Sequence, residues 1–119
     1  MKDSIRYIDC VYIVECNGLY KIGRTSHLDS RLNAIQTATP FPVQLVYAIP
    51  CPMKDREIEH ALHVIFADHR VRGEWFKLSM RDIAKIKSLS VQEILSVASR
   101  IEAAEKPGHQ LAFDFGDDE

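Results

Sequence analysis

The chain has 119 residues, 46% of them hydrophobic and 27% charged, with a formal net charge of −2. That length suits one domain, and the composition can build one mixed α and β core with no reason to expect disorder before the end. No apolar run approaches the roughly 18 residues of a membrane span, and the opening "MKDSIRYIDC" lacks the apolar stretch of a signal peptide, so a cytoplasmic protein is the expectation.

Cys10, Cys16 and Cys51 are odd in number and form no CxxC pair, which argues against a disulfide framework or zinc ribbon and for buried free thiols. The charge is unevenly placed. Residues 104–119 carry Glu105, Asp114, Asp117, Asp118 and Glu119 against Lys106, a net of −4, which leaves +2 on residues 1–103. One domain is therefore expected over 1–103, followed by a loose acidic tail over 104–119.

In chain order, "CVYIVEC" at residues 10–16 has the β-branched and aromatic content of a strand, Asn17-Gly18 is a strong two-residue hairpin signal, and "LYKIGR" at 19–24 is the returning strand. A two-residue turn fixes the register, because paired positions must sum to 35. Tyr12 then faces Gly23 and Val14 faces Lys21. Alternation places Val11, Ile13, Tyr20 and Ile22 on a core face, with Tyr12, Val14, Lys21 and Gly23 on the other. Tyr12 and Lys21 on that second face read either as an exposed cross-strand pair or as side chains aimed at a phosphate.

Thr25 or Ser26 can cap a short helix whose apolar stripe is Leu28, Leu32 and Ile35, with Arg31 on its flank. Pro40 and Pro42 end it, and "VQLVYAIP" reads as a third strand. A second helix is expected from near Lys54, burying Ile58, Leu62, Ile65 and Phe66 and carrying Glu59 and His63 one turn apart on the adjoining face. "GEWFKL" is a short strand or extended segment, with Trp75 read as a core anchor in preference to a base-stacking platform. Two further helical stretches, "MRDIAKIKSL" and "VQEILSVASRIEAAE", break near Ser88–Ser90 and carry no evident chemistry. The fold class is α+β: a three-stranded, mainly antiparallel sheet flanked by helices, with extra helices at the C-terminal end.

Hairpin, Arg-bearing helix, third strand and Glu-bearing helix in that order resemble the GIY-YIG nuclease superfamily. "VYIVECNGLYKIGRT", Arg31, "EIEHALHVIF" and "GEWF" are similar to the phage and bacterial branch whose second motif reads KIG, over residues 10–78. In that resemblance Val11-Tyr12 matches the first motif, with Cys10 in place of its glycine. Ile22-Gly23 matches the second, with Lys21 where the superfamily has its second tyrosine. Arg31 matches the helix arginine and Glu59 the metal-holding acid.

The resemblance implies a divalent-metal-dependent endonuclease acting on nucleic-acid phosphodiesters, with DNA the expected substrate. Glu59 would hold one Mg²⁺ or Mn²⁺ with waters filling the other positions. Arg31 would grip nonbridging oxygens, Tyr12 would accept a proton from water or orient it, and Lys21 would be a second clamp or, its pKa depressed by Arg31, the base. His63 joins Tyr12, Lys21, Arg31 and Glu59 as a candidate catalytic residue. Arg24, Arg70 and Arg72 would be peripheral phosphate contacts. His60, His63 and His69 lack an HExxH pattern and suitably spaced cysteines, which argues against zinc.

Two other readings stay open: a nucleic-acid-binding module that has lost turnover, favoured by the absent second tyrosine, and a protein-interaction domain using the same surface. In the tail, Gln110, Leu111, Phe113 and Phe115 loosely resemble the peptides by which bacterial DNA-processing proteins dock on the sliding clamp; folding back on the body and autoinhibition by the acidic residues are the alternatives.

Overall fold

Asn17 and Gly18 take φ of 54° and 85°, the two positive values a type I′ turn requires, and so lock the hairpin between β1 (Cys10–Cys16) and β2 (Leu19–Thr25). Its register is the expected one: Cys16 lies opposite Leu19, Val14 opposite Lys21 and Tyr12 opposite Gly23. The computed structural model describes residues 7–112, with side chains as far as residue 105.

After the hairpin come α1 (Leu28–Thr37), β3 (Val43–Pro50), α2 (Asp55–Ile65), a 3₁₀ turn (Ala67–His69), β4 (Arg70–Arg72), β5 (Trp75–Phe76), α3 (Met80–Ser88) and α4 (Val91–Ala112). The α+β class holds, but the sheet has five strands rather than three, in the order β3-β1-β2-β5-β4 with every pairing antiparallel. The two extra strands arise because Gly73, at φ 57°, turns the chain between Arg72 and Trp75. The resulting short hairpin then pairs Trp75 with Lys21 and Phe76 with Tyr20 on the free edge of β2.

One face of the sheet carries the main core. Val11, Ile13 and Ile22 meet Ile58, Ala61 and Leu62 of α2, Ile83 and Ile86 of α3, and Ile94 and Ala98 of α4. The opposite face is a second core and not an open surface: Cys10, Tyr12 and Val14 are buried against Leu28, with Leu32 and Ile35 of α1 packed over them. The reading of Tyr12 as one member of an exposed pair is thereby corrected, since Tyr12 is only 1% exposed. β1 is thus covered on both faces, as its nearly unbroken apolar run permits. Cys10, Cys16 and Cys51 are buried free thiols, and burial pushes Cys10 and Cys51 up to about 11.

The start of α1 departs from expectation. His27 occupies the cap position, and no side chain caps the helix. Ser26 instead donates its hydroxyl to Asp9 Oδ1 at 2.6 Å, while Thr25 Oγ1 accepts from the His27 N–H at 3.0 Å. Asp9 also accepts from the Met53 N–H at 2.9 Å, tying the entrances of β1, α1 and α2 together. These bonds, that from Ser26 first, hold its carboxyl below the usual range. Met53 is 87% exposed and sits at φ 65°, a left-handed backbone that costs a side-chain-bearing residue about 1 kcal/mol. Met53→Gly is expected to raise stability by about 0.5 kcal/mol after the added unfolded-state entropy of glycine, as read by urea unfolding.

At the other end, α3 opens on a reciprocal Ser79–Asp82 cap and α4 on the same exchange between Ser90 and Glu93, which sets the break between the two helices. The side chains from residue 106 onward, those of the sliding-clamp segment Gln110–Phe115 among them, lie outside the described residues.

Candidate functional site

Two residues of β5 are too few to cover the length of β2, and the pairing ends at Lys21 except for one further bond, from the Ile22 N–H to the Glu74 carbonyl at 3.0 Å. Gly23 is therefore the first residue of β2 beyond that bond, where the edge no longer meets β5. With no side chain it admits two others. A Cβ placed there would collide with the hydroxyl and Cζ of Tyr12 and would lie 3.2 Å from Glu74 Oε1. The gap over Gly23 is where the second-face tyrosine, the turn glutamate and the α2 glutamate meet.

Tyr12 is buried beneath α1 with its hydroxyl beside Arg31, the residue that the Leu28, Leu32 and Ile35 stripe holds on the outer flank of that helix. Burial pushes the phenol up to about 12, with the Arg31 charge acting in the opposite sense. The phenol is neutral at physiological pH, so it orients and shares protons but is no strong base. Lys21 Nζ donates to Glu74 Oε1 at 2.8 Å and lies 5.8 Å from the centre of the Trp75 ring.

Glu59 reaches the same place from α2. Its side chain is 15% exposed, and burial first, then the facing Glu74, push its carboxyl up to about 7. Burial also works against the charge on Glu74. The hydrogen bond and charge of Lys21 outweigh it, and the Glu74 carboxyl stays below the usual range. Of the two facing carboxyls, Glu59 is therefore the one that takes up a proton more readily, while Glu74 favours the carboxylate. Arg24 completes the cluster, with NH1 3.1 Å from Asp55 Oδ2 and Nε 3.4 Å from Glu59 Oε1.

Tyr12 with Arg31 beside it, and Lys21 bonded to Glu74 with Glu59 close by, lie around Gly23. Glu74 is the member that sequence reasoning misses, since in "GEWF" it is Trp75 that stands out. A glutamate directly after a turn glycine and before a strand is the available signal. Arg24 lies inside the cluster instead of at its periphery. His63 does not join the network through a hydrogen bond: Nε2 donates to the Ile22 carbonyl at 2.9 Å, the ring packs 5.1 Å from that of Phe76, and burial holds it below its usual pKa. Arg70 donates to the Gly73 carbonyl at 2.9 Å and lies 5.2 Å from the Phe76 ring, steadying the turn that presents Glu74. Arg72 is exposed on the same short hairpin.

Among the described residues no three His, Cys, Asp or Glu side chains gather as metal ligands. His60 instead pairs with Glu102 at 2.9 Å, and His69 lies 3.8 Å from Asp82. The Glu59–Glu74 pair is nevertheless a chemically suitable holder for a hard divalent cation. Two carboxylates share a proton that a cation can replace, and such ions accept few protein oxygens, with water completing the shell. No helix among the described residues is long and apolar enough to cross a membrane.

A family model described as the T5orf172 domain matches residues 9–101 and so spans the sheet, the four helices as far as residue 101, and every residue of the cluster. No curated protein and no solved structure gives a significant match.

Proposed function

The chain belongs to the T5orf172 domain family, a phage-associated domain related to nuclease-like folds, and from that premise we propose that it is a divalent-metal-dependent endonuclease of the GIY-YIG type. The reading rests on one observation: the charged and polar side chains of Tyr12, Lys21, Arg31, Glu59 and Glu74, with Lys21 bonded to Glu74, act on one another around the bare backbone of Gly23. Phosphodiester hydrolysis asks mainly for positioning and charge compensation, and this network offers both. DNA is the proposed substrate.

Arg31 and Lys21 bind the nonbridging oxygens of the scissile phosphate. The Tyr12 hydroxyl, beside Arg31, orients the attacking water, and the Glu74 carboxylate takes its proton. As oxygen bonds to phosphorus, the opposite P–O bond breaks and the leaving oxygen is finally protonated by solvent. Glu59, its proton given up to solvent and with Glu74 beside it, would hold Mg²⁺ or Mn²⁺, and the ion would supply positive charge near the leaving oxygen. His63 acts as a positioning residue: its bond to the Ile22 carbonyl fixes β2 immediately before Gly23.

The test is incubation of purified protein with labelled single-stranded, duplex and branched DNA and RNA in Mg²⁺, Mn²⁺ or chelator. Strand scission that needs the metal supports the enzyme, whereas retention without scission in every condition assigns the binding-module reading instead. Lys21 serves here as a clamp, because its ammonium is already donating to Glu74 at 2.8 Å. Lys21→Arg should accordingly keep a cleavage rate within about 10-fold of wild type, since guanidinium preserves the charge. A base at this position would instead lose most of its rate, with the acidic limb of the pH profile abolished.

A further inference from the structure

Beside the proposed site a groove of ≈ 440 Å³ opens between α1 and the β2–β5 edge, lined by Lys21, Arg31, Ala34, Ile35, Ala38 and Trp75 among others. Beyond its mouth at Lys21 and Arg31, none of the chemistry above uses it. We propose that this groove receives one unpaired nucleobase, so that the preferred substrate is a single-stranded, frayed or flipped-out strand and not an intact duplex. The inference rests on the reading of Lys21 and Arg31 as the phosphate clamp.

Three features converge on that occupant. The groove begins at the two cations, so a phosphate held there places its own sugar and base next to the opening. Its floor is largely apolar and open because α1 and the residue that ends it contribute the small side chains of Ala34 and Ala38 along with Ile35. Its wall is the half-buried indole of Trp75, beside which the Lys21 ammonium lies 5.8 Å from the ring centre. An aromatic wall with a neighbouring cation suits a nucleobase, which offers a π face whatever its identity. A base inside a duplex has both faces stacked and its pairing edge occupied. Only an unpaired base can enter; the Thr39 hydroxyl and the Cys16 thiol also line the groove, yet stacking on the indole dominates and gives little sequence preference.

Trp75 is the chain's only tryptophan, so its fluorescence reports occupancy directly. The full-length protein in chelator, where no strand is cut, is titrated with oligo(dT), oligo(U), an abasic oligonucleotide of equal length and a blunt duplex. The dT and U arms separate DNA from RNA as the source of the base. Saturable quenching by at least one of the two single strands, with the abasic strand and the duplex binding about 10-fold or more weakly, is the expected result. Ala34→Phe, on the exposed outer helix, should fill the groove and weaken single-strand binding by about 10-fold or more with no loss of thermal stability. Equal quenching by duplex and single strand, or single-strand affinity unchanged in a folded Ala34→Phe protein, overturns the proposal. Should quenching occur as expected while no condition yields metal-dependent scission, the groove stands and the endonuclease reading falls. Scission confined to duplex without quenching gives the reverse.

Discussion

Gly23→Ala is expected to reduce the cleavage rate by about 100-fold or more and to cost about 1–3 kcal/mol of stability, although it adds a single methyl group. The new Cβ would overlap the hydroxyl and Cζ of Tyr12. That ring cannot swing clear at low cost, because Tyr12 is 1% exposed between the sheet and α1. Relief must come from moving the ring, the strand or α1, and each shifts the hydroxyl relative to Arg31. Glu74 Oε1, 3.2 Å from the added carbon, would be crowded from the other side. Tyr12→Phe separates geometry from packing, since it deletes the hydroxyl without adding bulk. It should lose a comparable share of the rate while unfolding within about 1 kcal/mol of wild type. The measurements are steady-state cleavage and urea unfolding on both proteins. A destabilised Gly23→Ala protein with an undiminished rate would remove the Tyr12 hydroxyl from the mechanism.

That Gly23 faces Tyr12 is legible in the sequence alone, because Asn17-Gly18 permits only one register and every later pairing in the hairpin follows from it. Arg31 is legible for a related reason: the stripe of Leu28, Leu32 and Ile35 fixes which flank of a short helix remains free. Where sequence reasoning stops, the cause is distance along the chain. Glu74 meets Lys21 across 53 positions, and the link depends on a two-residue strand too short to show any periodicity. The second core escapes notice because the Lys21 and Gly23 positions of β2 resemble a wet face. Cys10, Tyr12 and Val14 of β1 are all apolar in character, and a strand buried on both sides is the reading that brings α1 over them. Arg24 reads as peripheral because alternation says nothing about a helix arriving from beyond the strand's end, where Asp55 and Glu59 meet it.

Glu59→Gln is expected to abolish metal-dependent cleavage while leaving nucleic-acid retention in chelator close to wild type, because the amide keeps a donor toward Glu74 but is a poor ligand for a hard cation. The same substitution should also leave a mark on stability that needs no substrate. Glu59 has its folded-state pKa raised from 4.5 to about 7, so the folded protein binds that proton more tightly than the unfolded chain does. Its contribution is therefore fully present below pH 4.5 and is lost as the pH rises through about 7. His63 acts in the opposite direction. Its pKa is held below 6.5 in the fold, so its contribution is present above that value and is lost as the pH falls. The absolute stability profile of the wild type mixes the two slopes, but the difference between Glu59→Gln and wild type isolates the glutamate. Measured in chelator, the variant should unfold near the wild-type temperature at pH 5 and above it at pH 8, because glutamine imitates the neutral acid at both. With Mn²⁺ present at pH 8 the order should reverse, since binding to the folded state stabilises only the protein that retains the carboxylate. A difference that stays constant from pH 5 to pH 8 would mean that Glu59 does not hold the shared proton. A Mn²⁺ stabilisation that survives in the variant would move the cation away from this glutamate.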